Sequence, residues 1–404
     1  MTVSRSNWTG VAFGLALACF AAYQQFKLPP ALPVLLETYH YDRTLAGAFM
    51  SIYAVAGFLL SAIFGRLVER SGLAGPTLAA LALTIAGNVL ILALPENGWL
   101  VLGGRALEGI GFAVLAICGP LLANASAAPR HLPIVVGLTA SWIPVGQLAA
   151  TALAPAAFVW YGWQLLWIAA IAAALALAGW TLRLRGSAAI ELPASLRTAT
   201  EARGDTGAAA QRRRLVLAAA VFMFWTAQYF AYMTWLPQYL VEVHGLSVSM
   251  AAVGYTVPVV MLILTNLVVG TILRAGVPVG PLLAFGLATQ AAVWWLIPVT
   301  GGGVTGLLSL IIYGIAAGIC PTCLFAMPSI VVGQGRGAAT AFGTLMTGRN
   351  VGVLVGPVLL AQAFKETGAW DIAAPIFGTI TSLAFVLGVW LAVSLGGTRY
   401  GTSR

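Results

Sequence analysis

The chain has 404 residues, of which 60% are hydrophobic and only 8% charged, with a formal net charge of +9 and a mean hydropathy of +0.94. This composition excludes an ordinary soluble globular domain and indicates a polytopic membrane protein. The basic surplus would suggest nucleic acid in a soluble protein, but most of the twenty Lys and Arg fall between apolar runs and on one side of them, so no nucleic-acid partner is expected.

Crossing an apolar layer of about 30 Å takes about 20 helical residues, and twelve runs of that size follow one another along the sequence. In the first half they are expected at 8–36, 44–68, 74–95, 98–124, 133–157 and 162–184. The second half gives 213–241, 248–273, 279–300, 305–331, 338–363 and 371–395. The runs are continuously apolar and too long for barrel strands, so the expected class is all-α. The seven residues before the first span are too few to begin a cleavable signal peptide, and that span is expected to stay in the protein.

Arg5, Arg66, Arg70, Arg130, the arginines from Arg183 to Arg214, Arg274, Arg336, Arg399 and Arg404 fall on one side of this topology, against Arg43 and Lys365 on the other. The positive-inside rule then places both termini and the central loop in the cytoplasm. Preference for Arg over Lys, with abundant Ala and Gly, suggests a GC-rich bacterium and hence the inner membrane. The Asn7-Trp8-Thr9 sequon lies on the cytoplasmic side and carries no meaning there.

Hydrophobicity collapses between Arg183 and Arg214 into a stretch of Arg, Ala, Ser, Thr and Gly, which is the composition of a solvated linker. The expected domains are therefore 1–184, a linker at 185–212, and 213–404. A shift of 206 residues brings Arg130 onto Arg336, Gly137 onto Gly343, Gly146 onto Gly352, Gly162 onto Gly368 and Tyr23 onto Tyr229. A shift of 207 aligns Pro30 with Pro237 and Gly47 with Gly254. The near-constant offset argues for a duplicated six-helix unit, as in transporters built from paired repeats.

Four ionisable residues interrupt the spans: Lys27, Arg105, Glu108 and Arg349. A charge at the centre of a bilayer costs at least about 2.5 kcal/mol, so each is a functional candidate. Three cations against one anion point to an anionic passenger. Lys27 lies above Tyr23 and Gln24 on one helical side, and Pro29-Pro30 follow it directly, where they withdraw backbone donors. Snorkelling of Lys27 to the outer surface is its alternative reading.

Arg105 and Glu108 are three residues apart and can meet on one helix face, as an internal ion pair or as a proton-coupling pair. If they pair, Lys27 and Arg349 are expected to remain uncompensated. Arg349, between Gly348 and Asn350, is too deep in its span for easy snorkelling and needs acceptors from a passenger or a fixed side chain. In the seventh span Trp225, Gln228, Tyr232 and Trp235 recur at helical spacing as an aromatic and amide stripe, which is either packing or a cavity wall. Trp142 and Asn266 are weaker candidates.

The expected binding residues are thus Lys27, Arg349, Tyr23, Gln24, Gln228, Tyr232, Trp235 and Asn350. All four cysteines lie in the spans, so no disulfide framework is implied, and Cys320-Pro321-Thr322-Cys323 lacks a second pair or nearby histidines for metal. No cofactor, metal or catalytic constellation is expected, nor a nucleotide-binding motif.

Two local motifs carry a resemblance. Gly65-Arg66-Leu67-Val68-Glu69-Arg70-Ser71-Gly72 resembles the loop motif of the major facilitator superfamily, with Glu69 where that family has Asp. Arg105-Ala106-Leu107-Glu108-Gly109-Ile110-Gly111 is similar to its Arg-x-x-Gln-Gly-x-Gly motif. The resemblance extends over the whole chain. It implies two pseudo-symmetric six-helix bundles that rock about a central site, with Gly65, Glu69, Arg70 and Gly72 in a cytoplasmic gate.

Within the family, Lys27-Leu28-Pro29-Pro30-Ala31-Leu32-Pro33 and Trp235-Leu236-Pro237-Gln238-Tyr239-Leu240 look like the cyanate and nitroimidazole permease branch, although Phe26-Lys27-Leu28 stands where cyanate permeases carry Asn-Leu-Arg. The expected function is secondary active transport of a small anion, inorganic or a short carboxylate, with protons or a counter-anion as coupling partner, the lipid bilayer as surroundings and a monomer as the working unit. A proton-coupled drug or metabolite exporter is the alternative. The fifth span, Gly137 to Gly146, does not match the glycine-proline motif of antiporters.

Overall fold

The computed structural model describes residues 6–128, 130–131, 134–135, 138–139, 141–185, 208–332 and 338–396. They are helical almost throughout. We label the helices α1 (Trp8–Phe26), α2 (Leu28–Tyr39), α3 (Arg43–Ser71), α4 (Ala74–Ala93), α5 (Gly98–Ala125), α6 (Trp142–Trp160) and α7 (Gln164–Leu184). The second half continues with α8 (Ala208–Glu242), α9 (Val248–Arg274), α10 (Val279–Leu296), α11 (Gly303–Val332), α12 (Ala338–Thr367) and α13 (Ala373–Leu395). Eleven spans among the described residues are long and apolar enough to cross a membrane, with Trp8–Tyr39 counted as one. The twelfth long helix is α3, 29 residues over the expected second span.

Helix ends follow local chemistry. Asn7 Oδ1 accepts from Gly10 N at 3.1 Å to start α1, and Asn97 Oδ1 accepts from Trp99 N and Leu100 N at 3.0 and 3.2 Å to start α5. Asp42 does the same for α3 through Thr44 N and Leu45 N. His40 closes α2 in the left-handed conformation, and Gly396 closes α13 with φ +58°.

Three boundaries depart from expectation. The first span is not one helix: Lys27 ends α1 and begins α2, because Pro29 and Pro30 cannot donate to the carbonyls one turn back. The fifth span is expected from 133; Ile134, Val135, Leu138 and Thr139 are helical there, but a turn at Ser141 precedes the long helix that runs from Trp142. In α8 the helix starts at Ala208, inside the expected linker, so Arg213 is helical and its guanidinium lies over the Trp390 ring at 5.1 Å. The rest of the linker, 186–207, falls outside the described residues.

The chain divides into two compact units, Met1–Thr200 with Val248–Ala252, and Glu201–Ser247 with Val253–Arg404. In the first, α5 packs on α1, α3 and α4, and α6 lies against α1. Its core gathers Phe13, Leu17, Tyr53, Leu81, Phe112 and Leu115. In the second, α8 packs on α12 and α13, and α10 on α11 and α13. Large apolar residues such as Leu264, Leu267, Phe285 and Val386 remain exposed, as lipid-facing positions must.

Candidate functional site

In the first unit, the prolines dictate what surrounds Lys27. Pro29 has no N–H for Gln25 O, so that carbonyl, deep in an apolar span, needs another donor. Arg105 of α5 supplies it: Nη2 donates to Gln25 O at 3.1 Å and Nη1 to Gln24 O at 2.9 Å. The same guanidinium donates through Nε to Phe49 O of α3 at 3.0 Å, through Nη1 to Glu108 Oε2 at 2.7 Å, and lies over the Tyr53 ring at 4.3 Å. Arg105 is therefore a structural stitch at the break, joining α1, α3 and α5.

Glu108 serves two cations. Its Oε2 takes Arg105 and the Tyr53 hydroxyl, the latter at 2.6 Å, while Oε1 takes Lys27 Nζ at 3.0 Å. Lys27 also donates to Gln24 Oε1 and to Asn88 Oδ1 of α4, and its ammonium lies over the Trp167 ring at 4.9 Å. Lys27, Arg105 and Glu108 are all 0% exposed. The expectation that an Arg105–Glu108 pair leaves Lys27 uncompensated is thus corrected: both cations share one carboxylate, and the three together retain one positive charge. An ammonium has three N–H donors, and three acceptors meet them.

Small residues bring these helices together. A side chain at Gly104 would meet Gly87 O at 2.8 Å, and one at Gly109 would meet Tyr53 Cα at 3.1 Å. The glycines around Arg105 and Glu108 therefore let α5 approach α4 and α3 closely enough for the polar groups to connect. Tyr23, expected beside Lys27 as a binding residue, instead donates its hydroxyl to Leu166 O of α7 at 2.8 Å.

In the second unit, Arg349 is 7% exposed on α12. Among the described residues its hydrogen-bond partner is Asn350 Oδ1 at 3.1 Å, its guanidinium lies 5.6 Å from the Phe230 ring centre, and no carboxylate pairs with it. Gly348, Gly352 and Gly356 seat α12 directly on the α8 backbone; a side chain at Gly352 would meet Ala227 N at 2.8 Å. Arg349 is thereby held beside the α8 stripe.

That stripe is inward, with Trp225, Gln228, Tyr232 and Trp235 all buried. Trp235 Nε1 donates to Pro357 O at 2.9 Å, which ties α8 to α12, and Tyr232 stacks on Tyr313 of α11 with ring centres 3.6 Å apart. Gln228 Oε1 accepts from Trp294 Nε1 at 2.7 Å and from the Tyr313 hydroxyl at 2.9 Å. Asn266 accepts from Thr322 Oγ1 at 2.8 Å, and Trp142 packs near Phe112, 6.0 Å between rings. Cys320 and Cys323 are buried free thiols, as is Cys118; Cys19 is a half-buried one.

Of the expected gate, Gly65, Glu69 and Arg70 lie in the last turns of α3, where the side chains fall outside the described residues; Gly72 follows with φ +74°. Residues that the sequence reading missed are Tyr53, Asn88, Gln290, Trp294 and Tyr313. A polar side chain within an apolar span marks Asn88 and Gln290. Nothing in sequence separates the aromatic three from packing residues.

The Major Facilitator Superfamily family matches residues 13–357. No curated protein matches the sequence. Among solved structures, the crystal structure of a D-xylose-proton symporter superposes with a TM-score of 0.74 at 15% identity, covering 97% of this chain and 99% of that one. At that identity the likeness carries the fold and not the cargo. A family match across most of the chain, twelve long helical spans among the described residues and a buried charge cluster at the α1–α2 break agree with one another: this chain belongs to the Major Facilitator Superfamily and is a membrane transporter, not an enzyme.

Proposed function

We propose that this protein is a secondary active transporter for a small anion, an inorganic anion or a short carboxylate, moved by alternating access and coupled to protons or to exchange for a second anion. The observation that carries this reading is the balance of buried charge: among the described residues Lys27, Arg105 and Arg349 are buried, with Glu108 the one buried carboxylate. Among the described residues the acceptor that Arg349 meets is a neutral amide, so a fork of charge-assisted donors is available to an oxyanion.

The shared carboxylate offers a coupling route. With Glu108 ionised, the three charges of the first unit sum to +1. A proton on Glu108 raises this to +2 and removes the negative charge that Lys27 and Arg105 share, and a monovalent anion restores the earlier charge. Proton and anion then enter together without net charge movement. This matters because import of a lone anion against an inside-negative potential costs about 2.3 kcal/mol per 100 mV. We assign a cation in each unit to the passenger: Lys27, beside Gln24, in the first, and Arg349, with Gln228, Tyr232 and Asn350 as neutral residues of its unit, in the second. The bacterial inner membrane is the proposed location.

Uptake of labelled nitrate, formate, acetate and lactate into proteoliposomes under an imposed pH gradient tests the reading. At least one anion is expected to accumulate with the gradient and to fail in Arg349→Ala. Uptake that is indifferent to Arg349→Ala, or extrusion of lipophilic cations with no anion moved, overturns it.

A further inference from the structure

The first unit carries a buried positive charge that its own side chains do not cancel. Lys27, Arg105 and Glu108 are 0% exposed and sum to +1, and among the described residues Glu108 is the one buried carboxylate. The three N–H bonds of Lys27 go to Gln24 Oε1, Asn88 Oδ1 and Glu108 Oε1. Hydrogen bonding is thus complete at the ammonium, while the excess charge stays.

The groups that touch this ammonium bring two further donors. Gln24 Oε1 accepts from Lys27 Nζ and also from Asn88 Nδ2, the latter at 3.3 Å. Turning the amide over would set its nitrogen against both donors, so the oxygen is fixed and Nε2 is the other end. That Nε2 has no hydrogen-bond partner among the described residues, and neither has Trp167 Nε1, an atom of the ring whose centre lies 4.9 Å from Lys27 Nζ. With bond lengths of about 1.3–1.5 Å, both nitrogens lie within about 7 Å of the same ammonium.

Both side chains are held in place. Gln24 is 1% exposed and Trp167 0%. Tyr23 of α1 donates to Leu166 O, beside Trp167, and Trp163 meets the Trp167 ring edge-on with centres 5.2 Å apart. Unfilled buried donors are costly, and packing alone would be served as well by phenylalanine and methionine.

Donors without acceptors and charge without a counter-charge therefore coincide around Lys27, and one kind of occupant answers both. A water molecule would accept from the N–H groups but leave the charge; a cation would meet donors and repulsion. We propose that Gln24 Nε2 and Trp167 Nε1 form, beside the Lys27 ammonium, a binding point for a compact monovalent anion of the size of chloride, nitrate or formate. Attraction between the anion and the ammonium is strong over this distance because the surroundings are apolar and dry. The inference rests on the anion reading above and narrows it: surroundings that bury every contributing group accommodate a small ion, not the body of a larger organic acid.

The test uses the full-length protein in nanodiscs with isotope-labelled tryptophan indoles, titrated with chloride, nitrate, formate, lactate and malonate and followed by NMR and calorimetry. Trp167→Phe identifies the Trp167 indole signal by its loss. At least one of the three compact anions is expected to move that signal, with lactate and malonate at least ten-fold weaker. Trp167→Phe keeps the ring but withdraws the N–H, and should weaken binding of the compact anion about ten-fold or more. Gln24→Glu keeps an acceptor for Lys27, withdraws the amide donors and supplies the missing negative charge itself; it should abolish the response without disturbing the indole packing.

Anion binding that vanishes in Arg349→Ala while the Trp167 signal stays still would leave the anion reading standing and overturn this site. A Trp167 signal indifferent to every anion, whether water or the Trp163 ring receives its N–H, overturns it as well. Lactate and malonate moving the signal as readily as formate would refute the restriction to compact ions. Failure of all five probes to bind folded protein by either method would sink the anion reading itself and the inference with it.

Discussion

Arg105→Lys is the most informative single change in the first unit, because it preserves charge and alters only geometry. The guanidinium donates to Phe49 O, Gln24 O, Gln25 O, the Tyr53 oxygen and Glu108 Oε2. An ammonium has three donors on a shorter reach, so at least two acceptors lose their partner, and the Gln25 carbonyl has no backbone donor to fall back on. A buried acceptor left unsatisfied costs about 1–3 kcal/mol, so the variant is expected to lose about 2–6 kcal/mol of stability. Restoring the missing donor should recover part of it. Pro29→Ala returns an N–H in reach of Gln25 O, and in that background the penalty of Arg105→Lys should shrink by about 1–3 kcal/mol. Denaturant titration of the detergent-solubilised protein, read by the reactivity of the buried cysteines, gives the four stabilities of the cycle. Additivity within about 0.5 kcal/mol would refute the claim that Arg105 substitutes for the donor removed by proline.

Substitutions at Glu108, Arg349 and Gly352 give four further outcomes. Glu108→Gln leaves Lys27 and Arg105 buried without an anion and should cost about 3–5 kcal/mol, with the double variant Glu108→Gln, Lys27→Met more stable than the single one in thermal melts. In proteoliposomes the same substitution should uncouple uptake from the pH gradient; gradient-driven accumulation at the wild-type level would remove Glu108 from coupling. Arg349→Lys replaces a two-pronged donor by a point charge and should weaken anion binding about 10- to 150-fold, the equivalent of about 1.5–3 kcal/mol, measured by calorimetry. Gly352→Leu drives a side chain into the α8 backbone at Ala227 and should lower the melting temperature markedly, whereas Gly343→Ala, with open space around it, should not.

Much of the architecture is legible in sequence because a bilayer imposes a length and a polarity on every crossing. The expected span at 248–273 meets a helix ending at Arg274, and 338–363 one ending at Thr367, since apolar runs and helices stop at the same interface. The departures are local. Pro29-Pro30 announces a disturbance, but only the fold reveals that a guanidinium from α5 repairs it. Spacing shows that Arg105 can reach Glu108. It cannot show that Lys27, 81 residues from Glu108, reaches the same carboxylate, because contacts between spans depend on helix rotation. The Trp225–Gln228 stripe is visible by periodicity; of its counterpart on α10, Gln290 stands out as a polar residue in an apolar span, while Trp294 is found only through the hydrogen bond it makes.

The glycine ladder of α12 has a mechanical consequence. With Gly348, Gly352 and Gly356 each laid against the α8 main chain, neither helix has side-chain cushioning that would let it slide or roll past the other. Any displacement that carries Arg349 must carry Trp225, Gln228 and Tyr232 in step, so charge and aromatic wall travel as one girder and the give in the second unit has to come from other seams.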